Sequence, residues 1–130
     1  MSGIIDISKL NTPPEKHELA TAKYFAHLGY EITFLRPSNI KQVHTPDISM
    51  DGHEWELKCP QGKGKHTIEH NIRNALSQSR YIIIDLRRIG IPMEKCLSQL
   101  QKEYDIRKDI KKLLVITKSQ ELLEFSRKNS

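Results

Sequence analysis

Thr45-Pro46-Asp47-Ile48-Ser49-Met50-Asp51-Gly52-His53-Glu54-Trp55-Glu56-Leu57-Lys58 alternates apolar and polar side chains on either side of Asp51-Gly52. That dipeptide suits a two-residue type I′ turn, whose central positions both need φ > 0. With the turn there, Met50 faces His53, Ser49 faces Glu54, Ile48 faces Trp55 and Asp47 faces Glu56. Directly opposed Cβ atoms on an antiparallel pair lie about 4.5–5.5 Å apart. Ile48, Met50, Trp55 and Leu57 then share one face, and Asp47, Ser49, Glu54, Glu56 and Lys58 the other. Like charges directly opposite one another destabilise a sheet, and carboxylate oxygens are the hard ligands that Mg²⁺, Mn²⁺ or Ca²⁺ prefer. The register therefore predicts an acid pair that shares a cation, with the Lys58 ammonium on the same face. A solvated outer face of an ordinary hairpin would carry similar residue types, so the prediction rests on the opposition of Asp47 and Glu56.

Upstream, residues 1–11 form a poorly defined lead, with a short strand through Ile4, Ile5 and Ile7. Thr12-Pro13-Pro14-Glu15 predicts a helix start, with Thr12 as N-cap, Pro13 at the first helical position and Glu15 closing a capping box. The helix runs to about Leu28, stops at Gly29, and turns Leu19, Ala22, Phe25 and Ala26 inward. Residues 30–35 alternate as a strand that Arg36-Pro37-Ser38-Asn39 ends, and a loop through His44 leads to the hairpin. Downstream, residues 67–78 predict a second helix with Ile68, Ile72, Ala75 and Leu76 inward. The continuous apolar runs at 81–86 and 113–117 suit strands covered on both faces. Pro92 opens a third helix through Met93, Leu97, Leu100 and Tyr104, and residues 119–126 predict a final helix. The expected order is α-β-β-β-α-β-α-β-α: a single α/β (α+β mixed) domain over residues 1–130, its central mixed sheet flanked by helices.

The composition, 28% charged and 37% hydrophobic, belongs to an ordinary folded chain of one domain. No apolar run approaches the roughly 20 residues of a membrane span, and no signal-peptide pattern precedes the fold. A start at Met1 without such a leader points to the cytoplasm. Cys59 and Cys96 are too few and too distant for a disulfide framework or a zinc ribbon. A net charge of +5 favours a phosphate-bearing partner.

Other motifs compete for attention. His66-Thr67-Ile68-Glu69-His70 matches an inverted zincin string, but that chemistry needs both histidines inside a helix, and Gly62-Lys63-Gly64-Lys65 puts His66 at or before its start. The same loop lacks the P-loop spacing, since Cys59 stands where the first glycine belongs. Lys63, Lys65 and His66, extended by Arg73 and by Arg87-Arg88 beyond the core strand, form instead a candidate nucleic-acid-binding track. A solvated connector would look the same.

Pro46-Asp47 followed by Glu56-Leu57-Lys58 resembles the PD-(D/E)XK nuclease signature. Glu18, eleven residues before Gly29-Tyr30, resembles the glutamate that such nucleases carry on their first helix. Within that superfamily the chain is similar to the C-terminal tRNA-nuclease toxin domains of contact-dependent growth inhibition proteins. Glu18-Leu19-Ala20-Thr21-Ala22, Gly29-Tyr30, Thr45-Pro46-Asp47-Ile48, Trp55-Glu56-Leu57-Lys58 with Pro60 and Gly62, and residues 75–86 carry that likeness. Cys59 departs from it, standing where related domains often place a serine.

The resemblance implies a restriction-endonuclease-like domain and a divalent-metal-dependent endonuclease acting on tRNA or other structured RNA. It implies one or two Mg²⁺ or Mn²⁺ ions held by Asp47, Glu56, the Leu57 carbonyl and Glu18. Lys58 would place water or steady the phosphate, and Gln78 would assist. A toxin of this kind has a cognate acidic immunity protein as partner. A DNA endonuclease of resolvase or restriction type, and a non-catalytic nucleic-acid-binding or interaction module, are the alternatives. Oligomeric state is not encoded in any motif.

Overall fold

The computed structural model describes residues 2–38 and 44–127. Its elements are β1 (Ile5–Asp6), α1 (Lys16–His27), β2 (Ile32–Phe34), β3 (Ile48–Met50), β4 (His53–Lys58), α2 (Thr67–Leu76), β5 (Tyr81–Asp85), α3 (Met93–Ile106), β6 (Lys112–Ile116) and β7 (Leu122–Ser126). All strands join one seven-stranded sheet whose spatial order equals the chain order. β4 is the central strand. It pairs antiparallel with β3 and parallel with β5, so the sheet is mixed as expected.

The hairpin forms as its turn chemistry dictates. Asp51 and Gly52 take φ values of 53° and 81°, and the register pairs Ile48 with Trp55, Ser49 with Glu54 and Met50 with His53. Ile48, Met50, Trp55 and Leu57 pack with Ala22, Phe25 and Ala26 of α1 on one face of the sheet. On the opposite face, Ile82, Ile84, Leu113 and Val115 pack with Ile68, Ile72 and Ala75 of α2 and Cys96, Leu100 and Tyr104 of α3. The apolar runs of β5 and β6 thus serve two cores at once, which is why they read as continuous rather than alternating.

The sequence misleads at two places. α1 begins at Lys16 rather than beside Thr12, and its N-cap position, Glu15, makes no side-chain cap bond. Each residue before a proline is steered away from the helical region, so Pro13-Pro14 keeps Thr12 and Pro13 out of the helix. The segment expected as a final helix is instead β7, paired antiparallel with β6. Its turn is set by Thr117, whose Oγ1 accepts the Glu121 amide at 3.0 Å, and by Gln120 at φ 67°. Leu123 and Phe125 then pack on the α3 side and Leu122 on the α1 side, a period of two. The loop expected through His44 lies partly outside the described residues, at 39–43.

α1 ends as its glycine foretells. Gly29 (φ 101°) donates to the Ala26 carbonyl at 2.9 Å and Tyr30 to the Phe25 carbonyl at 3.1 Å, while the Phe25 and Tyr30 rings meet edge-on at 5.8 Å. This is a Schellman cap with its apolar clasp. Replacing Gly29 by alanine forces a Cβ into the left-handed region, at a cost of about 1 kcal/mol. Urea denaturation of Gly29→Ala should show that loss with an unchanged m-value, and an undiminished midpoint would contradict the cap.

Candidate active site

Asp47 is fixed by three backbone contacts. Its amide donates to the Trp55 carbonyl (2.9 Å), its own carbonyl accepts the Leu35 amide (2.9 Å), and Oδ2 accepts the Leu57 amide (2.8 Å). Trp55 is the register partner of Ile48, so Asp47 bonds one residue out of step and the strand bends at the site, as a β-bulge does. Glu56, only 7% exposed, lies close enough to Asp47 for the two carboxyls to interact electrostatically. Glu56 Oε2 lies 3.6 Å from Lys58 Nζ, and Oε1 is buried with no hydrogen-bond partner.

The electrostatics follow from this crowding. Burial, and then the Asp47 charge, push Glu56 up to about 8; burial and Asp47 push Glu18 up to about 7. Burial also raises Asp47, against the lowering pull of the Leu57 amide. Glu18 and Glu56 therefore hold protons toward neutrality that ordinary carboxylates would have lost.

A divalent cation suits this pair, because two hard oxygen donors converge and the Glu56 Oε1 orphan is a buried acceptor awaiting a partner. Among the described residues, no three His, Cys, Asp or Glu side chains gather closely enough to hold an ion by themselves. Glu18 is thus close enough to feel Asp47 without completing a ligand triad. Leu57 lies between the acids with its side chain buried and its amide given to Asp47.

The remaining expected residues divide. Lys63, Lys65, His66, Arg73 and Arg88 are exposed. The loop bearing the first two is pinned where Gly62 bridges to Ile89 and accepts the Gly90 amide at 2.7 Å. His66 occupies the N-cap position of α2, outside the helix, with Nδ1 3.4 Å from Glu69, and its pairing with His70 is ring stacking at 6.3 Å. Arg87 departs from the expected track. Its guanidinium turns inward onto Asp85 (2.7 Å), the Ala20 carbonyl (3.2 Å) and the Tyr24 ring, so its charge is already matched. Gln78 is partly buried just past the end of α2, and the next residue, Ser79, donates to the Glu54 carbonyl at 2.7 Å.

A buried network beside the acids went unread in the sequence. Thr21 of α1 donates to Asp85 at 2.7 Å and meets Cys59 Sγ at 3.2 Å, so one hydroxyl ties α1 to β5 and to the residue after Lys58. Burial pushes the Cys59 thiol up to about 11, so it is a packing group rather than a nucleophile. The available signal was Asp85, a charge ending an apolar run that had to be buried.

A central sheet between α1 and the α2–α3 pair, with Glu56 and Lys58 on its middle strand and Asp47 just before β3, defines a mixed α/β domain. The family model of the contact-dependent growth inhibition CdiA C-terminal domain matches residues 44–122, and the chain belongs to that family, which is consistent with a toxin. A chain in the CdiA-CT/CdiI toxin and immunity complex from Burkholderia pseudomallei has the same fold. It is similar at a TM-score of 0.71 and 19% identity, over 96% of this chain and 100% of that one. No curated protein matches the sequence. Among the described residues no helix is long and apolar enough to cross a membrane.

The raised carboxyls make stability depend on pH. An unfolded glutamate titrates near 4.5, whereas Glu18 and Glu56 retain their protons to about 7 and 8. Between those limits the folded state binds more protons than the unfolded one, so stability falls as pH rises. Glu56→Gln removes one contributor. Its stability relative to the parent should therefore increase from pH 5 to pH 8 in denaturant titrations without metal. Parallel curves for the two proteins would refute the shift.

Proposed function

We propose that this chain is a divalent-metal-dependent endonuclease of the PD-(D/E)XK type, acting as a toxin on tRNA or other structured RNA in the cytoplasm. The observation that carries the reading is the Asp47–Glu56 carboxyl pair, with its partnerless buried oxygen, 3.6 Å from the Lys58 ammonium. Asp47 and Glu56 would hold Mg²⁺ or Mn²⁺, which lowers the pKa of water and offsets negative charge on the phosphate. Lys58, kept in place by Glu56, directs water to phosphorus and steadies the charge that grows on the phosphoryl oxygens. Water adds to phosphorus, the P–O bond to the leaving sugar breaks, and a proton goes to the departing oxygen. Glu18, its carboxyl pushed up to about 7 by burial and by Asp47, would orient water beside the pair.

The exposed Lys63, Lys65, Arg73 and Arg88 supply sequence-independent phosphate contacts on the flank of the pair. Arg87 does not join them. The similar Burkholderia pseudomallei toxin was solved with an immunity protein. By extension we assign this chain a cognate immunity protein with an acidic surface, suited to a basic nuclease.

Incubation of purified protein with total tRNA and with plasmid DNA, in Mg²⁺, Mn²⁺ or EDTA, tests the reading. Endonucleolytic tRNA fragments should form only with metal. Glu56→Ala and Lys58→Ala should lose cutting by at least about a hundredfold while staying folded by circular dichroism. Asp47→Asn should weaken Mn²⁺ binding in calorimetry. Digestion of plasmid with tRNA left whole would instead favour the DNA endonuclease, and no cutting of either in any metal would leave a binding module.

A further inference from the structure

Asp47 borders a cleft that the basic track does not reach. It encloses about 350 Å³ between the segment before α1 and the end of β2, and Glu18 and Asp47 form its inner wall. Pro13, Pro14 and Leu35 line its sides, and Arg36 stands in its lining, exposed. The guanidinium is oriented from below, with Nε donating to the Lys9 carbonyl at 3.2 Å and Nη2 to Asn11 Oδ1 at 3.5 Å. Among the described residues it forms no ion pair, unlike Arg87 and Arg107. A guanidinium has five N–H donors, so Arg36 keeps both its charge and open donors facing the cleft.

We propose that this cleft holds the nucleotide next to the scissile phosphate, with Arg36 binding that nucleotide's own phosphate. The proposal rests on the nuclease reading above and names the substrate form that the site takes: an unpaired nucleotide of a single strand or loop. The volume lies at the lower end of the roughly 300–1,000 Å³ of small-molecule sites. It admits one nucleotide pulled from its stack and not a stacked helix. Enzymes whose chemistry is recessed take their target out of the stack in this way. The flat faces of Pro13 and Pro14 and the Leu35 side chain offer an apolar wall to a base or sugar. The acids do not oppose this arrangement. Glu15, also in the lining, already lies 3.0 Å from His17 Nε2, Asp47 belongs to the proposed ion site, and burial and Asp47 raise Glu18 toward its neutral form. Arg36 thus supplies the cleft's counter-charge to phosphate on the side away from Lys63 and Lys65. A strand would run from the basic loop, across Lys58, and into the cleft.

Anisotropy of a fluorescein-labelled oligoribonucleotide, single-stranded or annealed to its complement, tests this in a Glu56→Gln background that does not cut. The single strand should bind more tightly than the duplex. Arg36→Ala should weaken single-strand binding about tenfold and reduce the slope of log K against log salt by about 0.7, one phosphate contact. Arg36→Lys should restore the slope. Thr12→Trp, at an exposed lining position, should weaken binding by filling the cleft, and in the cutting enzyme should raise KM with kcat retained. Parental affinity in both Arg36→Ala and Thr12→Trp would overturn the cleft assignment and leave the nuclease reading standing. Tighter binding of the duplex would overturn the preference for an unpaired nucleotide. If the Glu56→Gln protein bound no RNA or DNA at all, the nuclease reading and this one would fall together.

Discussion

Two carboxyl groups that repel each other are kept near one another here, Asp47 by backbone hydrogen bonds and Glu56 by burial on the central strand. Asp47 is gripped at its amide, its carbonyl and its Oδ2, by Trp55, Leu35 and Leu57. Glu56 lies mid-strand in the centre of the sheet. A surface pair of acids would turn apart into water. These cannot, because the hairpin register and the two cores fix the strands that carry them. The cost of the crowding appears as raised proton affinity, and a cation or a proton must offset it.

Around that constraint the fold arranges its supports. α1 packs on one face of the sheet and brings Glu18 within electrostatic reach of Asp47. One turn further along the same helix, Thr21 locks onto Asp85, which in turn is neutralised by Arg87. Asp85 is buried and its carboxyl is lowered, because the hydrogen bonds from Arg87 and Thr21 outweigh its desolvation. The two buried acid clusters are therefore opposites in kind. Asp85 is satisfied and structural, whereas Glu56 is left with an open oxygen. The Asp85 carboxylate, bonded by Arg87 and Thr21, ties α1 to β5, whereas Glu56 Oε1 is a buried acceptor whose bonding capacity is open.

The hairpin was legible because turn chemistry and period-two alternation agree over residues 47–58, and both are local properties of the sequence. The buried strands at 81–85 and 112–116 and the helix after Pro92 were legible for similar reasons. The last element was not. Leu122, Leu123 and Phe125 satisfy a helical spacing as readily as a strand with both faces covered, and only pairing with β6 decides between them. Nor could the chain show that Arg87 would meet Asp85, since two residues in sequence say nothing of which way a guanidinium folds back. The direction of α2 over the sheet is likewise a tertiary property. Arg36 and the cleft beside it were invisible for the same reason: the wall is built from segments before α1 and after β2 that no motif links.

The strand that bears Glu56 and Lys58 has three strands on each side, and every neighbour in the sheet is also a neighbour in the chain. Such a sheet frays from its edges, and opening of β1 or of β7 leaves the middle intact. Amide protons of β4 should belong to the last group to exchange with solvent, released only with global unfolding, while β1, β2 and β7 exchange through local openings. The candidate site is thus mounted on the middle of the sheet, and the edges can yield without disturbing it.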